Sequence, residues 1–317
     1  MKRKIYDKLS DWKNTSNGDT ALLIDGTRRV GKSYIAESFA KENYKSYILI
    51  DFNKANKDVC DLFINYLDDL DTLFMYLSSY YNTKLYKRES VIIFDEVQMF
   101  PKARAAIKYL VADARYDYIE TGFLMSIRKN VKDITIPSEE RHIRMYPMDF
   151  EEFCYALGEK NIIKYIRLCF EKQQPLEGDL HHKAMLLFKQ YMIVGGMPMS
   201  VSKYLENNRS FADSDTEKRD ILTLYKNDIN KADTKYRSKI SAIFEQISAF
   251  LSQQEKECDC QTSRENLLSL CITKPFIGLH PQWFVTNVLS VMTPISVYPS
   301  TRTETTSNAI WEIRDYW

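Results

Sequence analysis

Long apolar runs are missing from this sequence. No stretch approaches the ~18 residues that a membrane-crossing helix needs, so no membrane partner is expected. A charge excess is missing too. The formal net charge is +1, which gives the whole chain no pull toward nucleic acid or an acidic membrane surface. The basic start MKRKIYDKLSDW lacks the apolar segment of a secretory signal. Cysteine is sparse: six in 317 residues is no disulfide framework, and a cytoplasmic chain would keep them as thiols. Cys60, Cys154 and Cys169 read as core packing. The run Cys258, Cys260, Cys271 and His280 fits no zinc template, and the pair His181–His182 reads as surface.

What remains is globular. The chain is 44% hydrophobic and 27% charged, a balance that can bury a sizeable core. Residues 4–16 predict a short amphipathic helix, with Ile5, Leu9 and Trp12 at helical spacing. Three apolar runs of strand length follow: Ala21–Asp25, Tyr47–Asp51 and Val91–Asp95, with a weaker fourth at Tyr116–Thr121. Unbroken apolar runs predict strands buried on both faces, as in a parallel sheet covered by helices. Helix-like segments at 32–43, about 57–81 and 102–114 lie between them. The alternation predicts an α/β class with a doubly wound sheet over residues 1–150. From 151 to 255 the periodicity is helical, as at Phe150, Phe153, Cys154 and Leu157, and a lid-like helical region is expected. Gln173–Pro175 and Asn207–Thr216 read as loops there.

The chemistry concentrates in one stretch. Gly26-Thr27-Arg28-Arg29-Val30-Gly31-Lys32-Ser33 fits GxxxxGK[ST] without a mismatch, after an apolar strand and before an amphipathic helix. Gly26 and Gly31 let the backbone wrap a phosphate, and successive N–H groups with the positive end of the next helix face the anion. Lys32 would place its charge on the β- and γ-phosphates, Ser33 would coordinate magnesium, and Tyr34 closes the binding stretch. Val91–Glu96 is the expected companion, a buried strand ending in two carboxylates. Asp95 would hold the magnesium shell, and Glu96 would polarise the attacking water as general base. Thr121, at the end of the fourth strand, is the candidate to sense the γ-phosphate. Arg28, Arg29, Arg115, Arg141 and Arg144 are available to stabilise transition-state charge, and nothing in the sequence chooses among them.

ATP and Mg²⁺ are therefore the expected ligands, and a magnesium-dependent ATPase the expected activity. Two other classes stay open: a nucleotide-gated interaction or DNA-associated switch with negligible turnover, and a small-molecule kinase. A second copy of the chain or nucleic acid could be a partner, and the composition argues for neither. At GTRRVGKS, VIIFDEVQ, IETG, IPSEERHIRMYPMDFEEF (136–153) and VGGMP (194–198) the chain resembles bacterial and archaeal AAA-type ATPases. In those proteins the ATPase precedes a C-terminal domain of unknown function with a restriction-endonuclease-like fold. The resemblance implies ATP binding and hydrolysis and names no substrate. Phe123 stands where that pattern usually has a small polar residue.

Residues 256–317 do not resemble that second domain. Lys274 is the only lysine after Lys256, while three of the four tryptophans and four of the nine prolines fall in the tail. Read one base out of register, allowed codons for Ala309–Trp317 can encode CYMGDTGLL, and those for Trp283–Ser290 a similar piece of the missing domain. The tail is accordingly expected to be an irregular, frame-shifted remnant with no site of its own.

Overall fold

The computed structural model describes residues 1, 3–122, 139–230, 237–238 and 240–246. The tail from 247 onward, with Trp283 and Trp311, lies outside the described residues, and so does Phe123. The chain opens with α1 (Ile5–Ser16), β1 (Ala21–Gly26), α2 (Lys32–Asn43) and β2 (Ser46–Asp51). It continues with α3 (Lys57–Asn65), α4 (Leu70–Tyr80), β3 (Ser90–Asp95), a 3₁₀ turn (Val97–Met99), α5 (Pro101–Asp113), β4 (Asp117–Gly122) and β5 (Glu140–Met145). Then come α6 (Phe150–Ala156), α7 (Lys160–Glu171), α8 (Gly178–Val194), α9 (Pro198–Glu206) and α10 (Phe211–Asn230).

The five strands form one parallel sheet in the order β2-β3-β4-β1-β5. Alternation along each strand divides the core into two layers. Ala21, Leu23, Ile92, Phe94 and Tyr118 face the layer built from α3, α4 and α5. Leu22, Ile24, Val91, Ile93 and Ile119 face the other, built from α1, α2 and α10. Both faces are covered, which explains why β1 and β3 read as unbroken apolar runs. Because β4 lies between β1 and β3, the chain leaves β1 in one direction and later returns on its other side. The carboxyl ends of β1, β4 and β3 thus open onto a crevice, the usual place for ligands in such sheets.

Three expectations are corrected. The helix-like stretch 57–81 is two helices, separated by a turn in which the Asp69 carboxylate accepts from Thr72 N at 3.1 Å and caps the second. The polar run Asn207–Thr216 is a loop only to Ser210, since α10 begins at Phe211. A fifth strand, absent from the sequence reading, lies at the sheet edge, where Arg141 and His142 are exposed. Its sequence, Glu-Arg-His-Ile-Arg-Met, is mostly polar and carries no strand-like apolar run.

Candidate functional site

The site forms where β1 turns into α2. Gly26 ends the strand, and a Cβ there would stand 2.4 Å from the Met145 carbonyl oxygen of the neighbouring β5. Gly31 has φ +94°, a left-handed conformation that side chains other than glycine's rarely adopt. Arg29 turns the loop through φ +67°. Glycine is thus required at both glycine places of the loop motif, by close approach at one and backbone angle at the other.

Lys32, the first residue of α2, is only 5% exposed, not displayed on the loop surface as its sequence context suggests. Its ammonium donates to the carbonyl oxygens of Gly26 at 3.2 Å and Thr27 at 2.9 Å. Burial pushes its pKa below the ordinary lysine value, while Glu96, Asp95 and Asp25 act in the opposite direction. The loop has wrapped round the lysine, a tertiary consequence that the motif spacing does not contain.

The companion carboxylates meet this loop. Ser33 Oγ donates to Asp95 Oδ1 at 2.7 Å, across 62 residues of sequence. The Thr121 hydroxyl donates to the same Asp95 oxygen, and the Glu96 N–H donates to Thr121 Oγ1 at 3.3 Å. Glu96 itself has φ +53°, and its carboxylate accepts from the Gln98 side-chain amide. Ser33, Asp95, Glu96 and Thr121, singled out from three separate motifs, therefore lie together beside Lys32.

The arginines separate. Arg28 pairs with Asp228 of α10 at 3.0 Å, and its carbonyl accepts from the Tyr225 hydroxyl at 3.2 Å. Arg29 and Tyr34 are exposed, Tyr34 at 65%. Arg144 Nε donates to Asp25 Oδ2 at 3.2 Å, and His142 Nε2 lies 2.7 Å from Oδ1. Arg141 donates to Thr15 Oγ1 at 3.1 Å. Arg115 precedes β4, at the opposite end of the sheet from the crevice, and is held by Asp113 and Asp71. It is too far removed to serve the loop.

Several residues at the site were not foreseen. Arg3 is buried; it donates to the carbonyls of Val30 (3.1 Å) and Tyr146 (2.6 Å) and pairs with Glu152 at 3.2 Å. The two distinctive motifs of the helical segment also meet: Met148 N donates to Gly196 O at 2.6 Å, and the Tyr191 hydroxyl donates to Met148 O at 3.0 Å. The Gly195–Pro198 turn that follows comes up beside Gly31, with Pro198 Cγ 3.8 Å from where a Cβ of Gly31 would be. No periodicity signals these contacts; only the compact glycine-proline spelling of 194–198 hints that the backbone there is constrained. On the far side of the sheet Glu120 is fully buried. Burial, with the nearby Glu140, raises its carboxyl well above the usual range, and Arg104 offsets this in part.

A glycine-bounded loop between a buried parallel strand and a helix, ending in Lys-Ser and facing carboxylates at the ends of neighbouring strands, defines the P-loop α/β class. Within that class, residues 18–154 match the family model described as an AAA domain. Residues 185–265 match a domain of unknown function, DUF8612. No curated protein matches the chain. Among solved structures, the chain is similar to PCH-2 of C. elegans at 14% identity and TM-score 0.26, covering 52% of this chain and 44% of that one. It thus spans less than half of the PCH-2 chain. It is similar to Drosophila ORC bound to DNA at 15% identity and TM-score 0.38, covering 99% of this chain and 86% of that one. A DNA replication initiation factor gives 10% identity and TM-score 0.31, covering 100% and 90%. At scores this low, none of these likenesses bears on what the chain does. Among the described residues no helix is long and apolar enough to cross a membrane.

Proposed function

We propose that this chain binds ATP with magnesium in the crevice at the carboxyl ends of β1, β4 and β3, and hydrolyses it. The observation that carries the reading is the convergence of Ser33 and Thr121 on one oxygen of Asp95, beside buried Lys32. The donor set fits the ligands. Gly26 and Gly31 let the loop take the close approach and the left-handed turn that bring it round, and the N-terminus of α2 supplies N–H groups and dipole. Ser33 and Asp95 offer hard oxygen donors of the kind magnesium takes together with phosphate oxygens and water. When bound, the ion would neutralise charge building up on the phosphates. Lys32 would exchange its carbonyl partners for phosphate oxygens, which compensates the burial of its ammonium. Asp95, fixed by two hydroxyls, would orient the magnesium shell. Glu96 would take the proton of the attacking water, with Thr121 and Gln98 setting where its backbone and carboxylate lie.

The Gln98 contact also favours a second reading, in which Glu96 is held back and the chain acts as a nucleotide-gated switch with negligible turnover. Calorimetry with magnesium-ATP tests the shared premise. Wild type should bind, and Lys32→Ala should lose roughly ten- to hundredfold in affinity, the worth of a charge-assisted bond. Thermal melting checks that the variant is folded. Equal affinity in a folded variant removes the P-loop reading.

A further inference from the structure

The phosphate loop is gripped from outside at two of its carbonyls. Arg3 Nη1 donates to Val30 O at 3.1 Å, and the Tyr225 hydroxyl donates to Arg28 O at 3.2 Å. Both donors come from elements far away in sequence, separated from the loop by 27 and 197 residues. Each donor is itself held. Arg3 also donates to Tyr146 O and pairs with Glu152, and is nine-tenths or more buried. Tyr225 rides on α10, whose Ile221 is buried in the same core layer as Val30, and Asp228 one turn further pairs with Arg28. Burial also pushes the Tyr225 phenol above its ordinary pKa, with Thr27 opposing, so its hydroxyl stays a donor.

Peptide planarity turns these grips into an effect on the opposite edge of each peptide. In a trans peptide the C=O and the following N–H point in opposite directions. A carbonyl fixed outward therefore fixes the next N–H inward. Holding Val30 O aims the Gly31 N–H, and holding Arg28 O aims the Arg29 N–H. Gly31, at φ +94°, is the loop residue whose own backbone torsions least restrain that choice, while Arg29 is held in the left-handed region at φ +67°.

We propose that Arg3 and Tyr225 are positioning residues for nucleotide binding: by anchoring the Val30 and Arg28 carbonyls they aim the Gly31 and Arg29 amides at the phosphates. The inference rests on the ATP-binding reading above and deepens it. It assigns a role in the phosphate site to one residue of the N-terminal segment and to one of α10, which lies within the DUF8612 match. It also makes α10 a lever on the loop, since any force that shifts α10 releases the Arg28 carbonyl.

Two variants test it. Tyr225→Phe removes a single oxygen and leaves the packing of α10 intact. Arg3→Lys keeps the charge but not the fork that reaches Val30 and Tyr146 together. With only nine glycines in the chain, selective ¹⁵N-glycine labelling makes the Gly31 amide resolvable by NMR. We expect each variant to weaken magnesium-ATP binding about fivefold or more, the worth of one net hydrogen bond, with the thermal midpoint of Tyr225→Phe lowered by no more than about 4 °C. The Gly31 amide shift induced by saturating ATP should shrink in Arg3→Lys and stay full in Tyr225→Phe, because the two grips act on different peptides. A purely structural role would not divide the two variants in this way. If Arg3→Lys fails to fold, Tyr225→Phe still decides by its affinity. Wild-type affinity in folded Tyr225→Phe, or a full Gly31 shift in folded Arg3→Lys, overturns the proposal while wild-type binding stands. A wild type that binds no ATP overturns the functional reading first.

Discussion

Glu151 shows how one residue ties the start of the chain to the helical segment. Its carboxylate accepts from Tyr155 Oη at 2.5 Å and Arg167 Nη2 at 2.5 Å, and lies 2.7 Å from Lys4 Nζ. Burial alone would raise its pKa, yet these three partners hold it down at about 2. An unfolded glutamate titrates near ~4.3. The contribution of Glu151 is therefore complete above that value and is lost as pH falls from it toward about 2. Denaturation midpoints measured across this range should fall more steeply for wild type than for Glu151→Gln, and parallel curves would show the contacts to be idle. The loop motif and the Asp95–Glu96 pair were legible as residues because phosphate chemistry demands those types at that spacing. Arg3 was not legible, because an arginine in a basic stretch gives no sign that its guanidinium is buried against a loop 27 residues away. The burial of Lys32 was hidden for the same reason: spacing names the lysine, and only the wrapped loop encloses it.

Among the elements, β1 and β3 were plain in the sequence since both faces are buried, and β5 was invisible since four of its six residues are charged or histidine. The site depends on β5 all the same. Its Met145 carbonyl is what closes on Gly26, and the turn after it carries Tyr146 to Arg3. Met148 then pairs with Gly196, and Asp149 begins α6 with a reciprocal cap to Glu152. A Cβ on Gly196 would stand 2.2 Å from the Met148 carbonyl oxygen, so the two backbones must part to admit one. Gly196→Ala should cost about 1–3 kcal/mol through overpacking and lower the thermal midpoint by several degrees. Because the neighbouring Pro198 lies beside Gly31, ATP affinity should fall as well. A melting curve and a titration on the same sample check both, and an unchanged midpoint would mean that the turn yields freely.

On the scale of the whole molecule, a covered parallel sheet and a helical segment share the loop between them. The start of α2 supplies Ser33 and the strand ends supply Asp95, Glu96 and Thr121, while Tyr225 and Asp228 of α10 reach the loop from the helical side. The sheet class followed from the alternation of apolar runs and helical periodicity. The docking of α10 did not, since its buried face is confined to Ser214, Lys218 and Ile221 along twenty largely polar residues. Residues that come together only through this docking belong to no motif, which is why the motif residues of the crevice were readable and their support was not. The central claim is that this crevice hydrolyses ATP with Glu96 as the base. It is tested most directly by steady-state phosphate release from magnesium-ATP, wild type beside Glu96→Gln, with binding measured in parallel. Wild type should release phosphate, and Glu96→Gln should lose at least about a hundredfold, the smaller end of what a general base contributes, with ATP still bound. Equal turnover in the two proteins, or bound ATP that wild type never turns over, would contradict it.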